Sequence, residues 1–272
     1  MKKYIKILMA SLLVFTMIFS LAGCGQNKEA SKEVSKVDLI KEKGKIVLGT
    51  SADYPPYEFH KEINGEDTIV GFDIEIAKAM AEELGVELEI KDMKFDGLLA
   101  GLKAGKIDFI VAGMSPTEER KKSVDFTQIY YKGVNKVLVR VEDKDKYNTV
   151  DDFKGTKVGA QKSSIQEDLA KNELKDIELK SLGKLTNLVL ELENKKIDSI
   201  VVSEFVAEAY AKQNPKLALA GMEFGNGEDG SAIAIDKGNE ELVKIMDKAI
   251  DKLKESGKLK EFIIEAIELS GE

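Results

Sequence analysis

The sequence predicts an α/β fold built on parallel sheets. Two observations carry that expectation. Short apolar runs of strand length alternate with segments of helical periodicity along most of the chain, the pattern left by strands joined through crossover helices. One pattern also occurs twice: Leu99-Ala-Gly-Leu-Lys-Ala-Gly-Lys-Ile-Asp108 runs into Phe-Ile-Val-Ala, and Val189-Leu-Glu-Leu-Glu-Asn-Lys-Lys-Ile-Asp198 runs into Ser-Ile-Val-Val. Each is a helix, a Lys-Ile-Asp turn and a strand. All α/β units resemble one another, so the repeat decides little alone, but it fits a chain of two similar lobes.

The elements follow in order. Lys45-Ile-Val-Leu-Gly-Thr50 reads as a buried strand. A helix starts at Asp73, with Ile74, Ala77, Met80, Ala81 and Leu84 on one stripe, and Gly85 ends it. Val86-Glu-Leu-Glu-Ile90 alternates as a half-buried strand does. Leu98, Leu99 and Leu102 mark a second helix, stopped at Gly105, before a buried strand over 108–112. Further on, 157–161 reads as a strand, 185–192 and 204–211 as helices, and 231–236 as a last strand. Ser164-Ile-Gln-Glu167 has the spacing of a capping box. Two amphipathic helices, 240–255 and 259–269, close the chain around Gly257.

The N-terminus is set apart. Lys2, Lys3 and Lys6 precede an apolar run over 7–22, then Leu21-Ala-Gly-Cys24. A positive start, a short apolar stretch and small residues before a cut site describe a secretory signal, and the run is short for a bilayer span. Leu-Ala-Gly-Cys also resembles the lipobox of bacterial lipoproteins, which implies that Cys24 becomes the first mature residue and carries acyl chains. Cys24 is the one cysteine of the chain, so no internal disulfide competes for it. Residues 24–37 read as a flexible tether, being rich in Lys, Glu, Ser, Asn and Gln. Beyond the leader, 38 of the 41 basic residues face 49 acidic ones. A net anion without a basic cluster is poorly suited to nucleic acid or to a polybasic grip on anionic lipid.

Residues for chemistry are sparse. His60, the single histidine, lies beside Lys61 and Glu62 and reads as a solvated loop residue. No metal-ligand spacing, nucleophile motif or phosphate loop occurs. Arginine says more, since Arg120 and Arg140 stand alone among 39 lysines. A chain that uses Lys by default has reason to need a planar fork where it uses Arg. Arg120 ends Ala112-Gly-Met-Ser-Pro-Thr-Glu-Glu-Arg120, just after a buried strand, where α/β sheets place ligand sites. Thr117 can cap a short helix there, leaving Gly113 and Ser115 beside the guanidinium. The set suits a carboxylate, although a surface Arg balancing Glu118 and Glu119 fits the same residues. Asp53-Tyr54-Pro55-Pro56-Tyr57 follows the first strand at the same sheet edge, its rings equally suited to a ligand or to core packing.

Several motifs in register resemble the polar-amino-acid solute-binding proteins of ABC importers, a group that includes lysine/arginine/ornithine- and glutamine-binding proteins. They are Gly71-Phe-Asp-Ile-Glu-Ile-Ala-Lys-Ala-Met, Phe95-Asp-Gly-Leu, Gly105-Lys-Ile-Asp-Phe, Ala112-Gly-Met-Ser-Pro-Thr-Glu-Glu-Arg, Val124-Asp-Phe-Thr and Gly155-Thr-Lys-Val-Gly-Ala-Gln-Lys-Ser-Ser-Ile-Gln-Glu. The resemblance implies a two-lobed, type II periplasmic-binding-protein-like fold. Each lobe is a mostly parallel sheet flanked by helices, and two crossovers join them. Lobe one is expected at 38–132 plus 226–272 and lobe two at 133–225, after a signal peptide over 1–23. The resemblance further implies that Arg120 clamps a ligand carboxylate, that Ser115 and Gly113 hold its amine and carboxylate, and that Tyr54 and Phe95 sandwich its side chain. Asp53 would face the side-chain tip, and Gln161 and the helix start at Ser164 would meet the ligand from lobe two. Where the family has an acid for the ligand amine, this chain has Ser203 followed by Glu204, and either is a candidate. Ile165 stands where some relatives have Thr.

The expected function is therefore the extracytoplasmic, lipid-anchored binding component of an amino-acid importer. It takes a free L-amino acid of the Arg, Lys, ornithine, His or Gln class, acts as a monomer and passes ligand to a permease and its ATPase. It uses no cofactor or metal and performs no reaction. Cystine remains an alternative ligand. A same-fold dehydratase of the cyclohexadienyl type is the alternative activity, for which Glu58 and Glu204 are the nearby acids; neither has an apolar context in sequence.

Overall fold

The computed structural model describes residues 34–225 and 230–271. The signal peptide, Cys24 and the tether as far as residue 33 lie outside the described residues, as does the expected return to lobe one at 226. The tether ends earlier than expected. Ser35 accepts a hydrogen bond from Asp38 N at 3.1 Å and caps α1 (Lys36–Lys43), which Gly44 closes with φ 67°. Val37 and Ile40, three apart on one helix face, are buried, so 36–37 belong to the domain.

After α1 come β1 (Lys45–Thr50), β2 (Asp53–Tyr54), β3 (Glu58–Ile63), β4 (Glu66–Val70), α2 (Phe72–Leu84), β5 (Glu87–Asp92), α3 (Leu98–Lys103), β6 (Phe109–Ile110), α4 (Glu118–Lys121), β7 (Val124–Phe126) and β8 (Tyr131–Lys132). The next stretch holds β9 (Asn135–Arg140), β10 (Lys157–Gln161), α5 (Ile165–Glu173), β11 (Glu178–Leu182), α6 (Leu185–Glu193), β12 (Ser199–Ser203), α7 (Glu204–Gln213) and β13 (Leu217–Phe224). Then follow β14 (Gly230–Ser231), β15 (Ala234–Asp236), α8 (Glu240–Glu255) and α9 (Lys258–Ser270). The last expected strand thus divides in two: β14 belongs to the crossover and β15 to the sheet.

Two five-stranded sheets make two lobes, in the orders β5-β1-β6-β15-β7 and β11-β10-β12-β9-β13. In each, four strands run one way and one runs against them. The reversed strands are β15 and β9, the first sheet strands reached after a crossover. The crossovers themselves pair as a short antiparallel ribbon, Lys132 with Gly230 and Tyr131 with Ser231. A smaller sheet, β2-β3-β4, flanks lobe one, and its hairpin turns at Asn64-Gly65, both with positive φ (55° and 83°).

The sequence repeat is also a structural one. Asp108 accepts Val47 N through its side chain at 2.9 Å and donates its own N–H to Val47 O at 2.7 Å. Asp198 treats Lys157 the same way, at 2.9 and 2.8 Å. The preceding isoleucines fill matching gaps. A Cβ on Gly49 would stand 2.2 Å from Ile107 Cδ1, and one on Gly159 would stand 2.7 Å from Ile197 Cδ1. Each Lys-Ile-Asp turn therefore pins one strand to the central strand of its lobe by a side-chain clasp and a buried methyl.

A pair of acids lies within lobe one. Glu58, at the start of β3, and Asp73, in the first turn of α2, are both fully buried. Asp73 Oδ2 accepts Gly113 N at 2.7 Å and the Tyr130 hydroxyl at 2.8 Å, yet burial still lifts its pKa to about 7. Burial, reinforced by the Asp73 charge, pushes the Glu58 pKa well above the usual range, and the proton it keeps is shared in a hydrogen bond with Asp73. The expectation that Glu58 lacks an apolar setting is thereby corrected. A raised acid pKa contributes stability that is whole below the unfolded value and is lost as pH rises through the folded value. Glu58→Gln removes one such group. Its melting temperature relative to wild type should therefore move in the variant's favour as pH is raised from about 4 to about 8. Thermal melts across that range giving a constant difference would show that Glu58 is ionised in the fold.

Candidate functional site

The cleft between the two sheets is narrow, with a cavity volume of about 30 Å³. Lobe one supplies Tyr54, Tyr57, Gly113 and Ser115; the ribbon supplies Tyr131 and Ser231; lobe two supplies Asn135, Ile165, Gln166 and Ser203.

Each wall has a local cause. After β6 the chain turns through Gly113, whose φ is 57° and whose N–H is fixed by Asp73. That φ favours glycine, and a Cβ there would already touch the rings of Tyr54 and Tyr57, 3.5 Å away. Thr117 caps α4 by accepting Arg120 N at 3.3 Å, which places Arg120 in the first turn facing inward. Arg120 is only 9% exposed. Its fork donates to Ser115 O in its own lobe and to Ser163 O in the other, both at 2.7 Å, and its Cζ lies 5.6 Å from the centre of the Phe95 ring. Burial lowers its pKa to about 10, which leaves it charged at neutral pH. Arg120 is thus not a surface partner of Glu118 and Glu119, whose carboxylates bond Lys121 and Lys122.

From lobe two, Ser164 caps α5 by accepting Glu167 N at 3.2 Å. The expected box is displaced by one residue, because Glu167 reaches back to Ser163 N at 2.7 Å while Ser164 N is held by Gln161 O. Ile165 and Gln166 line the cleft as the first two residues of α5, where N–H groups have no intrahelical partners. Gln166 donates from Nε2 to Asn135 Oδ1 at 2.7 Å. The tyrosines continue the wall: Tyr57 packs on Phe72 at 4.4 Å, and Tyr131 meets Tyr57 edge-on at 5.8 Å and Phe205 of α7 at 5.0 Å.

The structure brings Tyr54, Gly113, Ser115 and Ser203 to one cleft. Arg120 and Ser164 are not in its lining; Arg120 instead bridges the lobes through Ser115 O and Ser163 O. It does not bring the other expected residues to the lining. The Asp53 carboxylate accepts Leu185 N from lobe two. Phe95 turns its ring to Arg120, and Gln161 lies below the surface with its amide 3.4 Å from Gly183 O. Glu204 points to Lys136, 3.9 Å away, leaving Ser203 as the member of that pair in the cleft. Sequence reasoning does not single out Tyr131, Asn135 and Gln166 as lining the cleft, and it leaves Tyr57 open between ligand and core. Tyr57 and Gln166 lie inside motifs that point to the site, whereas Tyr131 and Asn135 flank a crossover whose pairing leaves no local signal.

Among the described residues, no cluster of acids, His or Cys could hold a metal ion, and no helix is long and apolar enough to cross a membrane. The sequence profile of a family described as bacterial extracellular solute-binding proteins, family 3, matches residues 46–265. The arginine-binding extracellular protein ArtP of Bacillus subtilis (strain 168) is 36% identical over 262 residues, covering 95% of each chain. A probable histidine-binding protein of Campylobacter jejuni is 35% identical over 256 residues, 93% of this chain and 94% of its own. A solved structure of the amino acid ABC transporter substrate-binding protein AbpA of Streptococcus pneumoniae, bound to L-arginine, gives a TM-score of 0.84 at 44% identity, covering 86% of this chain and 99% of that one. The two-lobed fold, the cleft between its sheets and these matches agree: the chain belongs to family 3 of the bacterial extracellular solute-binding proteins.

Proposed function

We propose that this chain captures a free L-amino acid between its lobes and delivers it to the permease, and through it the ATPase, of an ABC importer. Arginine is the first ligand to test. The observation that carries the reading is a buried, charged Arg120 that reaches Ser163 O, just before α5, while Ile165 and Gln166 at the start of that helix line the cleft. A carboxylate placed there meets a guanidinium from lobe one and a helix N-terminus from lobe two, so it rewards closure. Ser203 and Ser115 offer oxygens to the amine. The faces of Tyr54, Tyr57 and Tyr131 suit an aliphatic stem with a delocalised cation, and Gln166 and Asn135 add neutral polar contacts. The named ligands of the relatives, arginine and histidine, point the same way.

Neither acid considered for the dehydratase alternative is placed as a proton donor. Glu58 has the raised pKa that acid catalysis needs but does not line the cleft, and Glu204 faces Lys136. The leader and Cys24 support attachment by lipid to the outer face of the membrane, with two or more acyl chains needed for stable anchoring.

Removing one member of a desolvated ion pair costs about 3–5 kcal/mol, or roughly two to three and a half decades of affinity. Arg120→Ala should lose that much for L-arginine and should bind L-argininamide and L-arginine alike; Arg120→Lys should recover only part, since an ammonium has no fork. Calorimetric titration giving near-native affinity for Arg120→Ala would move the carboxylate site elsewhere. Cys24→Ala should release the protein into the soluble fraction with its ligand affinity intact. Retention of that variant in washed membranes at high salt would rule out the lipid anchor.

A further inference from the structure

Asp53 does something other than line the cleft. It is 4% exposed, and its Oδ1 is engaged by the Ser51 hydroxyl at 3.1 Å. Its Oδ2 accepts the N–H of Leu185, the first residue of α6 in lobe two. That helix has Lys184 at its N-cap position and no side-chain cap of its own. Asp53 supplies from the opposite lobe what Ser, Thr or Asp normally supplies from within the chain, an oxygen on an orphan N–H at the positive end of a helix. The adjoining groups cross the same seam. Tyr210 of α7 donates to Asp53 O at 2.9 Å, and Ser203 N, at the end of β12, donates to the Tyr54 hydroxyl at 3.2 Å. Beside them Lys184 pairs with Asp92 of lobe one at 2.6 Å. Two consecutive residues of lobe one thus hold three elements of lobe two.

We propose that Asp53 is a closure latch, a positioning residue that caps α6 in trans and stabilises the closed lobes for every ligand alike, rather than a reader of the ligand side chain. The proposal rests on capture by lobe closure. Parting the lobes uncaps α6 and returns both groups to water, so the latch contributes to the closed state only, and that contribution enters the affinity of each ligand by the same factor.

The test compares wild type, Asp53→Ala and Asp53→Asn. Loss of an N-cap typically lowers the corresponding equilibrium about two- to thirtyfold. Asp53→Ala should weaken L-arginine, L-lysine and L-glutamine by one common factor in that range, with the loss in the dissociation rate. Asp53→Asn keeps an oxygen for Leu185 N and should recover most of the loss for all three. Small-angle scattering without amino acid should show Asp53→Ala more extended than wild type. A loss in Asp53→Asn confined to arginine and lysine would overturn the latch and make Asp53 a charge reader; unchanged affinities in Asp53→Ala would overturn it as well. If wild type binds none of the three, the capture reading fails by itself. The latch is then judged on scattering, where identical curves overturn it.

Discussion

The seam between the lobes is held by main-chain groups that end strands and helices and that find their partners on the other side. Leu185 N is met by Asp53, Ser203 N by Tyr54, Ser163 O by Arg120, and Phe95 N by Gly183 O at 3.4 Å. The cause is general. The carboxyl ends of strands and the amino ends of helices expose donors and acceptors that the local chain cannot satisfy, and burying them without partners is costly. In a two-lobed α/β protein these ends face each other across the cleft. Each lobe can therefore complete the other, and a ligand inserted among the same groups joins a hydrogen-bonding pattern already made of backbone. Much of the recognition surface is thus set by topology, and few side chains need be special.

Those that are special differ in how the sequence announces them. The helices over 72–84 and 240–255 and the strand at 45–50 are legible because one face of each carries apolar residues at the proper period. Thr117 and Ser164 are legible as caps because capping is local chemistry. The hairpin β3–β4 escapes a reading by periodicity although Asn64-Gly65 is a strong turn signal, because its strands carry charged residues on the outward face and lack an apolar run. Rarity of arginine points equally to Arg120 and Arg140. Only the fold separates them, since Arg140 donates to Leu192 O and Ile197 O and pairs with Asp143, all within lobe two, whereas Arg120 spans both lobes. Glu58, Tyr131 and the trans cap at Asp53 are not legible, because each depends on a neighbour far away in the chain.

The charges inside the protein are disposed by the same logic. Arg120 keeps its charge under burial because carbonyls from two lobes and an aromatic face replace the water it has lost. Glu58 has only a second acid, Asp73, beside it and is held towards its neutral form. Asp73 lies between these limits, with two donors and a pKa of about 7. Because one of those donors is the N–H of Gly113, the state of this pair is felt one bond away from the cleft wall.

The ribbon formed by β8 and β14 has an architectural consequence. Lobe two leaves lobe one at Lys132 and comes back at Gly230, and these two residues are paired neighbours. The whole second sheet with its helices is therefore an insert whose two ends occupy a single strand spacing. Such an insert can be exchanged as a cassette: a second lobe spliced at these two points meets the same pair of attachment strands and the same Asp53 and Tyr54 partners. Evolution along this route can alter half of a pocket in one step while leaving the half built from lobe one untouched.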